Sequence, residues 1–286
     1  MRSGGNWRYT RRVVVAIMSS PLAATCCWGQ PYPWTDGKRP AETVSERFAP
    51  PPGFERGPVA AASFANWLRQ LPLKTAGAPV KLFNGENKPR QDVHAAVIDV
   101  DVGARDLQQC ADAVIRLRAE WLYASEMKDE IAFNFTGGGR VPFWRFAKGQ
   151  RPDESGLHWL AKAKTDDSYA SFRRYLDYVF AFAGTASLEK ELTPVPVSDI
   201  RIGDVFIKGG FPGHAVIVAD VVENKTSKAK RFLLVQSYMP AQDMHVLKNP
   251  ANSDGSPWYA VPADGPGGDL VTPEWTFQPG SLRRWP

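Results

Sequence analysis

Cysteine is scarce in this chain: 286 residues hold three, Cys26, Cys27 and Cys110, and the first two lie close to the N-terminus. Four histidines, at 94, 158, 214 and 245, show no tight ligand spacing among themselves or with cysteine, so neither a zinc site nor any other metal or cofactor is expected. No apolar run is long enough to span a bilayer; the longest, over 13–24, falls short of the roughly 20 residues a spanning helix needs. Internal repeats and low-complexity tracts are absent as well, which excludes solenoids and arrays.

What the N-terminus does contain is directional. Residues 1–29 carry Arg2, Arg8, Arg11 and Arg12 and no acid, then the apolar run, then small residues, and so read as a signal peptide. Cleavage after Gly29 leaves small residues, Cys27 and Gly29, where the processing enzyme inspects them. Thr10-Arg11-Arg12 also fits a twin-arginine signal loosely, so the export route stays open; a lipoprotein signal fits less well at Cys26 or Cys27. Losing the four arginines drops the formal charge from +5 to +1. The basic character therefore belongs to the leader, and a nucleic-acid partner is not expected, because it would need a basic patch on the mature domain. The expectation is an exported protein, periplasmic or extracellular, without stable membrane insertion once the signal is removed. Its mature part keeps one cysteine and can form no internal disulfide.

Residues 30–53, rich in Pro and Gly, read as an extended lead-in, and 54–286 as one domain. Ser63 is placed to cap a short helix with Phe64, Trp67, Leu68 and Leu71 on one face. Strands over 80–83 and 93–102 flank Asn84-Gly85, a hairpin signal. Leu107, Cys110, Val114, Leu117 and Trp121 then recur at helical spacing with Asp106 as candidate N-cap, and a second helix carries Tyr169, Phe172, Tyr175, Leu176 and Val179 on one face. Residues 204–207, 214–221 and 232–237 read as strands, and the segment beyond 250 as loops anchored by Trp258, Trp275 and Trp285. The sum is a single α+β domain, helices packed on a mainly antiparallel sheet.

Three segments line up in an order chemistry can use: the Cys110 helix, GDVFIKGGFPGHAVIVAD over 203–220, and FLLVQSYMPAQ over 232–242. A thiol in the first turn of a helix sits among unpaired N–H groups that favour its anion. His214, opening a strand with Val216 and Val218 on its own side, is the candidate base. Gln236 on the next strand, or else Asp220, can hold its tautomer. Asp204, Trp144 and Tyr238 are candidate substrate contacts, with Asp204 also readable as a turn residue.

Gly203-Asp204-Val205-Phe206 followed by Gly213-His214-Ala215-Val216-Ile217-Val218 resembles the strand pair of the NlpC/P60 cysteine peptidases and amidases. That papain-like resemblance implies Cys110 as nucleophile, His214 as base, Gln236 as orienting residue, and peptide bonds of the bacterial cell wall, peptidoglycan or another envelope component, as substrate. Over its full length the sequence also resembles a family of exported bacterial proteins catalogued only as a domain of unknown function (number 4846). DLQQCADAVIRLRAEWL, GDVFIKGGFPGHAVIVAD and QSYMPAQ carry that second resemblance.

Two other functions compete. Cys110 lies among apolar helix positions and can be an inert core residue, in which case aromatic loops bearing Trp144 or Trp258 would make this a non-catalytic glycan- or protein-binding module. Asp99 and Asp101, on one face of the strand over 93–102, could instead serve as a glycosidase pair. No oligomeric state is predicted.

Overall fold

A computed structural model describes residues 1, 32–35, 37–38, 40–263 and 268–286. Met1 aside, the expected signal over 1–29 lies outside the described residues.

Packing begins ahead of Phe54. Helix α1 (Val44–Arg47) is a single turn closed by a capping box: the Thr43 backbone N–H donates to Glu46 Oε2 at 2.8 Å, and Thr43 Oγ1 accepts from the Glu46 backbone N–H. Val44 is fully buried, and the Tyr32 hydroxyl donates to the Trp67 carbonyl at 2.8 Å. The described part of the expected lead-in is thus docked on the body. Pro and Gly deny it a regular period, but its few large apolar residues still find partners.

After β1 (Phe54–Arg56), helix α2 (Phe64–Arg69) starts where Ser63 Oγ accepts the Asn66 N–H at 3.1 Å, and buries Phe64, Trp67 and Leu68. Strand β2 (His94–Val97) does not form the expected hairpin with 80–83. The Asn84-Gly85 turn forms, with Gly85 at φ +87°, but its second arm is 86–88: Leu82 N donates to the Glu86 carbonyl at 2.8 Å. Pro89 has no N–H with which to extend that ladder.

Helix α3 (Cys110–Ala124) leads to a hairpin of β3 (Ala132–Asn134) and β4 (Arg140–Pro142). The aromatic stretch that follows is a short helix, α4 (Phe143–Ala147), then a second hairpin, β5 (Gln150–Pro152) with β6 (Trp159–Ala161). Helix α5 (Tyr169–Phe182) is capped by Ser168 and buries Phe172, Tyr175, Leu176 and Val179, the face its spacing predicted; α6 (Thr185–Glu191) follows. The rest is β7 (Thr193–Pro194), β8 (Val205–Lys208), β9 (His214–Asn224), β10 (Lys230–Gln236), β11 (His245–Leu247), β12 (Tyr259–Ala260), β13 (Leu270–Val271), β14 (Thr276–Phe277) and β15 (Leu282–Arg284).

The main sheet runs β2-β11-β10-β9-β8-β15-β7, with β1 added to β9 and β12 to β10, and every pairing is antiparallel. Its centre is β9, buried on both faces. Ala215, Ile217 and Ala219 join the larger core beneath α2 and α3, while Val216 and Val218 meet Phe206, Phe232, Leu234 and Phe277 in a smaller core on the other side. Each valine or isoleucine so enclosed contributes about 1.5–3 kcal/mol, which fixes the strand's register. The fold is α+β, helices on an antiparallel sheet, as the order of elements predicts. Among the described residues no helix is long and apolar enough to cross a membrane.

Candidate functional site

Helix α3 begins at Cys110 itself. Gln109 is the N-cap, with extended backbone, and its N–H donates to Asp112 Oδ2 at 3.0 Å, the reach-back half of a capping box. Asp106, the expected cap, is committed elsewhere: its Oδ1 accepts from Gln109 Nε2 at 3.1 Å and from the Ala241 backbone N–H at 2.6 Å. Cys110 is therefore the first helical residue, not the end of the first turn. Ser237 ties the same entry to the end of β10, its Oγ lying 3.1 Å from the Gln108 carbonyl and 2.9 Å from that of Gln242.

The thiol is free and its residue partly exposed. The backbone N–H groups of Cys110, Ala111 and Ala215, the last belonging to the peptide that joins His214 to Ala215, favour its anion. Burial pushes the Cys110 pKa up to about 11, the Asp112 carboxylate pushes the same way, and the three N–H groups oppose both. Asp112 is itself driven well above the usual carboxyl range by burial.

His214 opens β9 opposite Lys208 of β8. The glycine before it is required by space: a Cβ on Gly213 would stand 2.3 Å from Thr185 Oγ1 and 2.7 Å from the Lys208 carbonyl oxygen. The ring is enclosed by Tyr238, Trp275 and Phe277, with centroids 4.9, 5.4 and 5.8 Å away. Its Nε2–H donates to Gln236 Oε1 at 2.9 Å, and burial lowers its pKa to about 4. Among the described residues Nδ1 makes no hydrogen bond, and none joins ring to thiol; contacts of this kind tighten when substrate binds. At rest the site holds a neutral thiol and a neutral imidazole with one nitrogen uncommitted.

Gln236, the last residue of β10, donates its amide N–H groups to Glu274 Oε2 at 2.8 Å and His245 Nε2 at 3.2 Å. Lys88 holds Glu274 from behind, Nζ to Oε1 at 2.7 Å. None of Lys88, His245 and Glu274 stood out in the sequence, and no local pattern marks them. Lys88 precedes a proline in an irregular loop, Glu274 follows one, and only folding brings them to Gln236. Beside them opens a groove of about 600 Å³ lined by Arg90, Tyr238, Thr272, Glu274 and Trp275.

The other candidates lie away from this cluster. Asp204 sits at the opposite end of the β8–β9 pairing, where its carboxylate takes Arg284 Nε at 2.7 Å and Nη2 at 2.8 Å and the Arg201 N–H at 2.8 Å. It is a buried turn residue held by three hydrogen bonds, away from His214. Asp220, the alternative orienting residue, is held by Arg56 and Arg69 at 2.6 Å each near the far end of β9. Trp144 is exposed on α4, a helix that packs on β4, β5 and α5, with Lys148 over its ring. Of the expected substrate contacts only Tyr238 reaches His214. Trp258 is only 4% exposed and offers no stacking platform. β2 ends at Val97, so Asp99 and Asp101 share no strand face; Asp101 is bound by Arg116 at 2.6 Å and Arg173 at 3.2 Å.

Fold and site together define an α+β protein with a cysteine at the start of a helix and, on the neighbouring strands, a buried histidine hydrogen-bonded to a glutamine. A family model described as Domain of unknown function (4846) matches residues 44–284, and the chain belongs to that family. No curated protein and no solved structure matches it.

Proposed function

We propose that this protein is an exported cysteine hydrolase, related in its catalytic arrangement to the NlpC/P60 amidases and endopeptidases, that cleaves peptide or related amide bonds of the bacterial envelope. The observation that carries the reading is the hydrogen bond from His214 Nε2–H to Gln236 Oε1. It leaves Nδ1 as a lone-pair base on the residue that precedes Ala215, whose N–H favours the Cys110 thiolate.

The chemistry follows from the neutral resting pair. As Sγ attacks the substrate carbonyl carbon, its proton passes to His214 Nδ1, and the N–H groups at the start of α3 face the charge that develops. Collapse of the tetrahedral species breaks the C–N bond and returns the proton from Nδ1 to the leaving amine, giving a thioester. Water then attacks the thioester carbonyl, Nδ1 takes the water proton, and that proton returns to sulfur as the acid leaves. Trp275 and Phe277 exclude bulk water from one side of the ring, and the groove beside Tyr238 is the approach for substrate.

The test is iodoacetamide labelling of the native full chain near neutral pH. Because the resting thiol is neutral, Cys110 is expected to label only as fast as His214 takes up its proton, and His214→Ala to slow the labelling while leaving the far-UV circular dichroism unchanged. Equal labelling in both proteins, or none in either, refutes the reading. Release of new amino groups from purified peptidoglycan, lost in Cys110→Ala, then tests the substrate.

A further inference from the structure

We infer that Glu274, anchored by Lys88, is a positioning residue that sets the direction of the Gln236 amide and through it the tautomer of His214. The inference rests on the hydrolase reading for its consequence and for the labelling comparison, but not for the tautomer measurement.

A side-chain amide has an acceptor end and a donor end of nearly the same shape, so its direction is decided by what it faces. Gln236 faces three groups. Glu274 presents carboxylate oxygen Oε2 at 2.8 Å, which can only accept, while its other oxygen is occupied by Lys88 Nζ at 2.7 Å. His245 presents Nε2 at 3.2 Å; because its Nδ1–H donates to the Asp243 carbonyl at 2.9 Å, that Nε2 is a lone pair. Both neighbours therefore demand the NH2 end, which turns Oε1 toward His214 Nε2 and requires a proton there. Nδ1 is left unprotonated, the state a base must be in. Turning the amide over would set two acceptors against each other at Glu274 and give His214 a donor in place of an acceptor, moving its proton to Nδ1 and disabling it as a base. Glu274 and Lys88 are nearly enclosed, at 9% and 6% side-chain exposure, so the clamp works where water does not substitute for a lost partner.

Substitution at 274 separates this role from simple packing. In Glu274→Gln the carbonyl oxygen must face the Lys88 ammonium, so the new NH2 faces Gln236 and favours the reversed amide. Glu274→Ala removes one acceptor without supplying a donor, and His245 continues to hold the amide. The near-isosteric Gln is therefore expected to be worse than Ala, the reverse of what packing alone predicts. Iodoacetamide labelling of Cys110 should fall roughly tenfold in Glu274→Gln, a range common for residues that orient a functional group, and less in Glu274→Ala.

The direct readout is the ¹⁵N spectrum of the imidazoles in the full chain with Cys110→Ala, which needs no thiol reactivity and has only four histidines to assign. The background protein should show His214 protonated at Nε2 only, and Glu274→Gln should add an Nδ1-protonated population. A His214 protonated at Nδ1 before any change at 274 overturns the inference without requiring the variants to fold. So does a tautomer that Glu274→Gln leaves untouched, or an Ala variant that labels more slowly than the Gln variant. If the tautomer moves as expected while His214→Ala leaves labelling unchanged, the clamp stands and the hydrolase reading falls.

Discussion

The two ends of strand β9 both bury polar groups, and they do so in opposite ways. At the far end Asp220 is fully enclosed, and its carboxylate is saturated: Arg56 and Arg69 bind one oxygen each at 2.6 Å, and the Val221 N–H adds a bond at 2.8 Å. At the near end His214 is equally buried, yet its partners are neutral or act through Gln236, and one ring nitrogen is uncommitted. A saturated ion-pair cluster can only hold the fold together. A histidine kept neutral, oriented on one nitrogen and open on the other is arranged for proton transfer.

Breaking the Asp220 end should give the largest effect, and on stability alone. Asp220→Ala leaves the buried Arg69 guanidinium uncompensated and is expected to cost about 3–5 kcal/mol, read as a lower urea midpoint, with Cys110 labelling of the folded fraction unchanged. At the other end, His214→Ala should lower the labelling rate of the folded fraction about 100-fold, with a smaller fall in midpoint from the cavity left among Tyr238, Trp275 and Phe277. If instead the two substitutions act alike, on stability only, the contrast between the ends disappears and His214 is a structural residue. Gln236→Ala should lie between wild type and that variant, roughly tenfold down in labelling, since His214 keeps its lone pair but loses the fixed tautomer.

Acid and base should also distinguish the ends. The folded pKa values of His214 (about 4) and His245 (about 3) lie below the unfolded value near 6.5, so the unfolded chain takes up protons first as pH falls. The part of the stability that these two histidines govern is therefore complete above about pH 6.5 and declines from there toward pH 3–4. Cys110, raised to about 11 in the fold, acts in the other direction: its contribution is present below the unfolded thiol value and is lost as pH rises through about 11. Urea midpoints measured across pH should show a plateau between these limbs, and His214→Gln should flatten the acid limb. The smallest effect expected is that of Asp112→Asn. It removes the neighbouring carboxylate that raises the thiol, while the new side-chain oxygen can still accept the Gln109 N–H. The pH of half-maximal labelling should move down by a fraction of a unit, and a shift upward would show that Asp112 does not oppose the thiolate.

Much of this was legible along the chain because it is local. Ser63 and Ser168 cap the helices they precede, the α5 face repeats at helical spacing, and the segments beginning at 205, 214 and 230 are the core strands their apolar runs suggest. Gly213-His214 and Gln236 are also local in this sense, each set at a strand end next to a turn. The Asn84-Gly85 turn was legible but its partner was not, because a turn dictates reversal and not how far the second arm runs.

Asp106 shows the limit most clearly. It is a fair N-cap by spacing, yet the Ala241 N–H, 135 residues away, competes for its oxygen, and the helix starts at Cys110 instead. Asp204 and Asp220 likewise read as available carboxylates until Arg284, Arg56 and Arg69 arrive from distant segments. By itself, then, the sequence determined the types of the elements that carry Cys110, His214 and Gln236, the alternating faces of the central strands and the order cysteine, histidine, glutamine, because each depends on spacing over a few residues. β15, read as loop, became a strand of the main sheet only through its pairing with β8 and β7. Tertiary structure alone decided which carboxylates are neutralised, how far thiol and imidazole are desolvated, and that Lys88, Glu274 and His245 converge on Gln236. Those outcomes depend on contacts between residues far apart in the chain and on exclusion of water, and neither exists until the sheet closes.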